Sequence, residues 1–193
     1  MFPLWIKLGY TLMVGLILAV YWVRYGPGNF LWFSDVALIS IVPALWLESS
    51  LLASMMAVSV LLPELAWNVD YFSKLITNTS PFGLSKYMFD ETIPKRVRAL
   101  SLFHIGLPPL LVWMVYRLGY DHRALLGQTL LGSVILFLSY KFADPRENVN
   151  WVRGLRGRPQ DRLSGASYLL LLMLGFPLLV YLPTHLLLLW LLS

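Results

Sequence analysis

The chain has 193 residues, of which 58% are hydrophobic and 13% are charged. Soluble domains carry about 25% charged residues, so this composition excludes an ordinary soluble fold, a disordered tail and a nucleic-acid-binding module, despite the net charge of +5. The sequence contains no cysteine, which also excludes disulfides, thiolate catalysis and cysteine-ligated metals. We therefore expect an integral membrane protein that forms a single domain.

Continuous apolar runs follow one another along the chain, and each approaches the ~20 residues that an α-helix needs to cross a bilayer. We predict six membrane-spanning helices in one bundle, at residues 7–23, 30–47, 51–68, 99–116, 124–140 and 166–192. The two longest connections are 69–98 and 141–165. The fold is expected to be all-helical, because the apolar runs do not alternate with polar residues as the strands of a membrane barrel do.

Basic residues are distributed unevenly between the two sides of this predicted bundle. Segments 24–29, 69–98 and 141–165 share one side and contain twelve of the 15 Lys and Arg residues. Cytoplasmic loops carry the excess of Lys and Arg in membrane proteins. We therefore expect both termini on the outer, periplasmic side, and we expect the inner basic segments to contact anionic lipid headgroups.

Four polar side chains on three predicted spans reach a similar depth. At 1.5 Å per residue, Asp35 and His104 lie about 7–8 Å inside the inner face, and Glu64 lies about 10 Å inside it. Asn68 follows Glu64 by one helical turn on the same face. Ionisable groups within a span are costly and are functional candidates by default. We therefore predict a polar cavity in the cytoplasmic half of the bundle.

This cluster allows several kinds of chemistry. Asp35 and Glu64 have the side chains of general acids and bases, with His104 as their partner and Asn68 as the residue that orients them. Together, Asp35, Glu64 and His104 also offer the mixed oxygen and nitrogen ligands that a divalent metal takes. The alternative is structural, because polar side chains commonly hydrogen-bond helices together.

The inner connections add further candidate residues. Asp70, Asn148 and Asn150 are expected to cover the cluster, and Trp151 and Arg153 belong to a basic loop that is able to bind a phosphate or a headgroup. That loop has a second interpretation, in which its charge only sets the topology. Segment 69–98 mixes aromatic and polar residues, which fits either a segment lying on the inner headgroups or a cap packed over the bundle.

Several short strings occur together in this sequence. They are NFLWFSD at 29–35, PELAWNVD at 63–70, FHIGLP at 103–108, RLGYD at 117–121 and NVNW at 148–151. With them, nearly the whole chain resembles a group of uncharacterised bacterial multi-pass proteins described only as membrane-associated. The resemblance implies a bacterial inner membrane, but it implies no activity, substrate or site.

The sequence leaves three classes of function open. The leading hypothesis is a small intramembrane enzyme, or a binding protein for a lipid-like molecule, that uses the polar cavity. The second is a small transporter or channel, and the third is a structural or assembly subunit of a larger membrane complex. A homo-oligomer is compatible with each of these.

Overall fold

Helices account for most of the structure. The computed structural model describes residues 1–155 and 159–192, and no β-strand occurs within these ranges. The described part of the chain contains eight α-helices: α1 (Leu4–Tyr25), α2 (Phe33–Leu47), α3 (Ser50–Thr77), α4 (Lys95–Leu100), α5 (Phe103–Leu118), α6 (Ala124–Phe142), α7 (Gly165–Phe176) and α8 (Leu182–Leu192). The prediction of an all-helical fold is confirmed.

Five helical stretches of the described chain are long and apolar enough to cross a membrane. They are Leu4–Tyr25, Ser50–Thr77, Lys95–Leu118, Ala124–Phe142 and Gly165–Leu192. The segment predicted as the second span is divided between a 3₁₀ helix, Pro27–Leu31, and the 15-residue helix α2. By itself α2 covers about 22 Å of a bilayer core that is about 30 Å thick.

Helix α3 lies at the centre of the bundle and packs against α2, α5, α6 and α8. Its first half buries the small residues Ala53, Ser54, Ala57 and Ser59. Small side chains allow helix backbones to approach closely, which is the main source of helix association in lipid. The central position of α3 explains why polar groups on its second half meet partners from several other helices.

The helices run back and forth between two ends of the bundle. At one end, the Phe2 amide donates a hydrogen bond to Glu48, and the Asp121 amide donates one to Ser54. At the opposite end, Glu64 is hydrogen-bonded to His104. We name these the Glu48 end and the Glu64 end. The described parts of the three segments predicted to be inner lie at the Glu64 end, where Asn29 contacts Asp35, Asn150 contacts Phe33, and Tyr87 lies beside Trp67.

The predicted inner loop 69–98 is shorter in the structure. Helix α3 continues past the expected end at Asn68 to Thr77, and α4 already begins at Lys95. The apolar run stops at Asn68, but a helix continues into polar surroundings as long as its side chains find partners there. Segment 78–94 folds back onto the bundle and buries Ser85 and Met88, so it forms a cap, although Phe82 is exposed.

Candidate functional site

The Glu64 end contains a buried acid–base pair. Glu64 Oε2 lies 2.7 Å from His104 Nδ1, and the two side chains are 3% and 12% exposed. The pair joins α3 to α5. The similar depths predicted for the two residues allow this contact. An ionised carboxylate only accepts hydrogen bonds, so Nδ1 is the donor in that state and the lone pair of the imidazole is then on Nε2.

Asn68 holds the backbone around this pair. Its amide nitrogen Nδ2 donates to two main-chain carbonyl oxygens, those of Glu64 and His104, at 2.8 Å each. Pro108 lies four residues after His104 inside α5, and proline lacks the N–H that would otherwise bond to the His104 carbonyl. The side chain of Asn68 supplies this missing donor, which gives it the orienting position predicted from the sequence.

Two aromatic rings fix the plane of the imidazole. The ring of His104 stacks on Trp67 at 4.6 Å and 20° and on Phe103 at 4.1 Å and 25°. Stacking on both rings restricts rotation of the imidazole about its side-chain bonds. The stacking and the Glu64 bond together leave Nε2 as the ring nitrogen without a hydrogen bond to the described residues.

Asp35 lies near the pair without joining it. It occupies the first turn of α2, where a helix N-terminus favours a carboxylate. It is 5% exposed, and its Oδ2 accepts a long hydrogen bond of 3.3 Å from Asn29. Its charge interacts through space with those of His104 and Glu64. The three predicted acid–base residues therefore share one region of the bundle.

The predicted metal site is not formed by these three residues. Across residues 1–155 and 159–192, no group of three or more His, Asp or Glu side chains is arranged to hold a metal ion. The physical reason is that His104 Nδ1 is directed to Glu64, whereas the nearest hydrogen-bond partner of Asp35 is Asn29. The geometry therefore supports an acid–base pair with a neighbouring carboxylate and does not support a three-ligand metal site.

A group of hydroxyls beside the pair was missed in the sequence. The hydroxyl of Tyr21 is hydrogen-bonded to Ser101 Oγ at 2.7 Å, and both residues are buried. The hydroxyl of Tyr87, which belongs to the cap, lies beside Ser101 and beside the indole of Trp67. Tyrosine is common at membrane interfaces, and nothing local in the sequence distinguishes an interfacial anchor from a buried hydroxyl.

Asp70 is hydrogen-bonded to the cap. Its carboxylate is fully buried and accepts hydrogen bonds from five donors in the cap, all at 2.8–3.0 Å: Ser80 Oγ, Phe82 N, Gly83 N, Ser85 N and Ser85 Oγ. These hydrogen bonds use the acceptor sites of the carboxylate within the chain, so the structure gives Asp70 a role in folding the cap. Substrate binding by Asp70 stays a prediction.

The predicted binding residues of the second inner connection are also occupied within the protein. Asn150 is buried, accepts from the Phe33 amide at the start of α2, and donates to the Leu31 carbonyl and to Ser139. Asn148 accepts from the Arg153 amide and donates to the Gly154 carbonyl. These amides hold the chain in place, and their role in substrate binding stays a prediction.

Trp151 and Arg153 likewise contact neighbouring elements. The indole of Trp151 packs edge-to-face on Trp32 and stacks on Phe176. The guanidinium of Arg153 donates to the Tyr140 carbonyl at 3.0 Å and lies over the Tyr140 ring. The basic residues Arg156 and Arg158 of the same predicted loop lie outside the described residues. Nothing in the described part of this loop arranges a guanidinium pair for a phosphate.

The Glu48 end has its own polar contacts, which are farther from the cluster. Glu48 Oε1 accepts from Lys7 Nζ and from the Phe2 amide, at 2.9 Å each. These donors, the Lys7 ammonium first, hold the pKa of Glu48 below its usual value. At the same end, a cavity of about 470 Å³ opens among residues that include Tyr116, Tyr120 and Leu189. None of the predicted site residues lines it.

Comparison of the chain with protein-family models, with curated proteins and with solved structures finds no match. The functional argument therefore depends on the geometry of the Glu64 end.

Proposed function

We propose that this chain is an integral membrane protein that binds, and acts on, a lipid-like amphipathic molecule by means of the Glu64–His104 pair. The observation that carries the proposal is the 2.7 Å contact between a buried carboxylate and an imidazole whose second nitrogen makes no hydrogen bond with the described residues. Buried ionisable groups in membrane proteins are costly and are commonly retained for function.

The proposed chemistry is general acid–base catalysis. Glu64 accepts the Nδ1 hydrogen of His104, holds the ring in one tautomer and stabilises the positive charge that forms when Nε2 takes a proton. Asp35 places a second carboxyl group in the same region, within electrostatic reach of the pair. The transferred proton would come from a polar group of the bound molecule, and it returns to that molecule or to water in the reverse step.

The proposed topology has six crossings of a bacterial inner membrane with both termini outside. Helix α2 and the preceding 3₁₀ helix together form the shortest crossing, between α1 and α3. The distribution of Lys and Arg supports this orientation, since twelve of 15 lie in the segments at the Glu64 end. The acid–base pair then faces the inner leaflet, whose anionic headgroups contact the basic surface of that end.

The main alternative is structural. Asn68 bonds two carbonyls on two helices, which is what a residue that only holds helices together would do. In this alternative the Glu64–His104 pair stabilises the helix bundle and binds no ligand. The two proposals differ in what happens when the charges are removed while the shapes are kept.

Glu64→Gln and His104→Gln test the proposal. Each variant is purified in mild detergent beside the wild type, and the lipids that copurify are extracted and quantified by mass spectrometry. We expect the lipid retained by the pair to fall about tenfold, because each variant replaces a charge-assisted hydrogen bond of the pair by a neutral one. Glu48→Gln, at the opposite end, is the matched control and should retain wild-type lipid.

Two results would overturn the proposal. The first is equal lipid retention in all four proteins, which would leave the pair without a binding role. The second is a loss of lipid in the control as well, because the change would then reflect general damage to the bundle. Circular dichroism and size-exclusion profiles of the variants establish that each one is folded before its lipid content is compared.

A further inference from the structure

An indole N–H beside the acid–base pair lacks a hydrogen bond. Trp67 is 5% exposed, and its Nε1 is buried without a hydrogen-bond partner in the described structure. The Tyr87 hydroxyl is close enough to interact with the indole, but no acceptor in the described structure meets the distance and angle of a hydrogen bond to Nε1. An unpaired N–H away from water costs free energy, so this donor indicates a polar ligand at that position.

The groups around the indole form a consistent set. Trp67 stacks on His104, Tyr87 comes from the cap, and Ser101 Oγ lies beside Tyr87 while it is hydrogen-bonded to Tyr21. Burial raises the pKa of Tyr87 well above its ordinary value, so its hydroxyl keeps its hydrogen at neutral pH. Indole and hydroxyl groups are neutral donors, and the hydroxyls also accept.

The charges around this set disfavour an anion. Tyr21 interacts electrostatically with Asp35, and Tyr87 interacts with Glu64, so the hydroxyls lie within the electrostatic reach of two acidic side chains. Arg98, three residues before Ser101, donates through Nη1 to the Met88 carbonyl and interacts with Asp90, while its Nε is buried without a hydrogen-bond partner in the described structure. A phosphate beside Tyr87 would meet the Glu64 carboxylate, whereas an uncharged oxygen would not be repelled.

We propose that Trp67 Nε1, the Tyr87 hydroxyl and Ser101 Oγ form a subsite for an uncharged oxygen, the hydroxyl or carbonyl oxygen of an amphipathic molecule, next to His104. This inference rests on the proposed function and specifies its substrate class. The anionic headgroups recognised by the basic outer surface of this end are excluded from the subsite. In this position the bound oxygen lies beside the imidazole of His104, the group that takes up and returns the proton in the proposed function.

Three probes with the same twelve-carbon chain test the polar group alone: 1-dodecanol, 2-dodecanone and dodecyl phosphate. The protein is reconstituted in nanodiscs of phosphatidylethanolamine and phosphatidylglycerol, and each probe is titrated while the indole ¹H–¹⁵N resonances are recorded. The Trp67 resonance is the one that disappears in Trp67→Phe. The alcohol and the ketone distinguish the two sources of the oxygen.

We expect the alcohol, the ketone or both to shift the Trp67 resonance to saturation. Dodecyl phosphate should bind at least about tenfold more weakly, since like charges a few ångströms apart repel by more than 1 kcal/mol inside a protein. Trp67→Phe keeps the ring stacked on His104 and removes the donor, and Tyr87→Phe removes one hydroxyl. Each should weaken alcohol or ketone binding about fivefold, the value of one neutral hydrogen bond. Because Trp67→Phe has no Trp67 resonance, the affinities of the wild type and of every variant are compared by equilibrium dialysis of the probe against the nanodiscs.

Trp113→Phe is the control, because Trp113 packs on Phe2 at the Glu48 end and its replacement should change no affinity. Equal or tighter binding of dodecyl phosphate would overturn the subsite, as would unchanged binding in both Trp67→Phe and Tyr87→Phe. If those variants bind normally while Glu64→Gln still loses retained lipid, the subsite fails and the proposed function stands. If they bind weakly while Glu64→Gln and His104→Gln retain all their lipid, the proposed function fails and the subsite stands.

Discussion

Two buried carboxylates on helix α3 differ sharply in how they are used. Asp70 accepts hydrogen bonds from five donors, all from the cap that follows α3. Glu64, six residues earlier and about 9 Å away along the helix, has the imidazole of His104 as its hydrogen-bond partner. A carboxylate has about four lone-pair sites. The acceptor sites of Asp70 are occupied by donors of the cap. Glu64, by contrast, still has acceptor sites for a ligand or a proton.

Burial alone therefore does not separate a structural acid from a reactive one. Both side chains are 3% exposed or less. What differs is the origin and number of the donors. Asp70 is satisfied by main-chain amides that cannot move without unfolding the cap, and Gly83 takes a positive φ of 76° to present one of them. Glu64 is paired with a titratable side chain from another helix.

The largest expected effect is on the stability of an Asp70→Asn variant. The NH₂ group of asparagine would face the Ser85 N–H, which is also a donor. The negative charge to which the other donors are hydrogen-bonded would be lost. We expect the free energy of unfolding to fall by about 3 kcal/mol, because orphaned buried donors and a lost charge both contribute. Unfolding by sodium dodecyl sulfate in mixed micelles measures this change, and limited proteolysis within 78–94 reports the loosened cap.

Glu64→Gln is the matched comparison for that experiment. The glutamine oxygen still accepts the Nδ1 hydrogen of His104, so we expect a loss of about 1 kcal/mol or less. An equal loss in the two variants would show that Glu64 is as structural as Asp70, and it would favour the interhelical alternative over the proposed function.

A smaller effect is expected at Asn68, and it depends on a proline. Asn68→Ala removes the donor to the His104 carbonyl and should cost about 1–2 kcal/mol. Pro108→Ala restores a backbone N–H at the position that bonds to this carbonyl in a regular helix. In that background Asn68→Ala should cost about 1 kcal/mol less, a coupling that a double-mutant cycle in mixed micelles measures directly.

The neighbouring proline supplies the control for this cycle. Pro109 frees the carbonyl of Ile105, which Asn68 does not contact in the structure. Asn68→Ala should therefore cost the same in a Pro109→Ala background as in the wild type. Identical costs in the Pro108→Ala and wild-type backgrounds would mean that Asn68 does not replace the missing donor.

The sequence predicted the Glu64–His104–Asn68 group because those contacts follow from helix geometry. Depth depends on residue number, and Asn68 lies one turn from Glu64. The role of Asp70 could not be inferred in this way, because its donors belong to an irregular segment without periodicity. The contacts of Asn150 with Phe33 and Leu31 span 117 and 119 residues, and no local pattern specifies such pairings.

The end of α3 and the buried hydroxyls show a second limit. Hydropathy records where the apolar core ends and not where the helix ends, so the predicted end at Asn68 falls nine residues before Thr77. Tyr21, Tyr87 and Ser101 belong to residue types that are common at membrane interfaces. Folding of the cap brings Tyr87 beside Trp67 and Ser101, and that folding depends on the hydrogen bonds to Asp70.

The smallest effect is expected at the opposite end of the bundle, where Glu48 is paired in an accessible position. Hydrogen bonds from Lys7 and from the Phe2 amide lower the pKa of Glu48, so its contribution to stability is complete above the unfolded-state value of 4.5 and disappears as the pH falls through the lower folded-state value. Glu48→Gln should be slightly less stable than the wild type at pH 7, and this difference should vanish in acid.

Thermal unfolding of the two proteins between pH 7 and pH 3 measures this difference. Glu91→Gln is the control, because Glu91 is exposed and forms no ion pair in the described structure. A difference in thermal stability between the wild type and Glu48→Gln that persists or increases below pH 4 would contradict the lowered pKa of Glu48. An accessible ion pair contributes little to stability because water competes for both charges. Glu64 differs from Glu48 in this respect, because it is buried at the opposite end of the bundle and faces an imidazole.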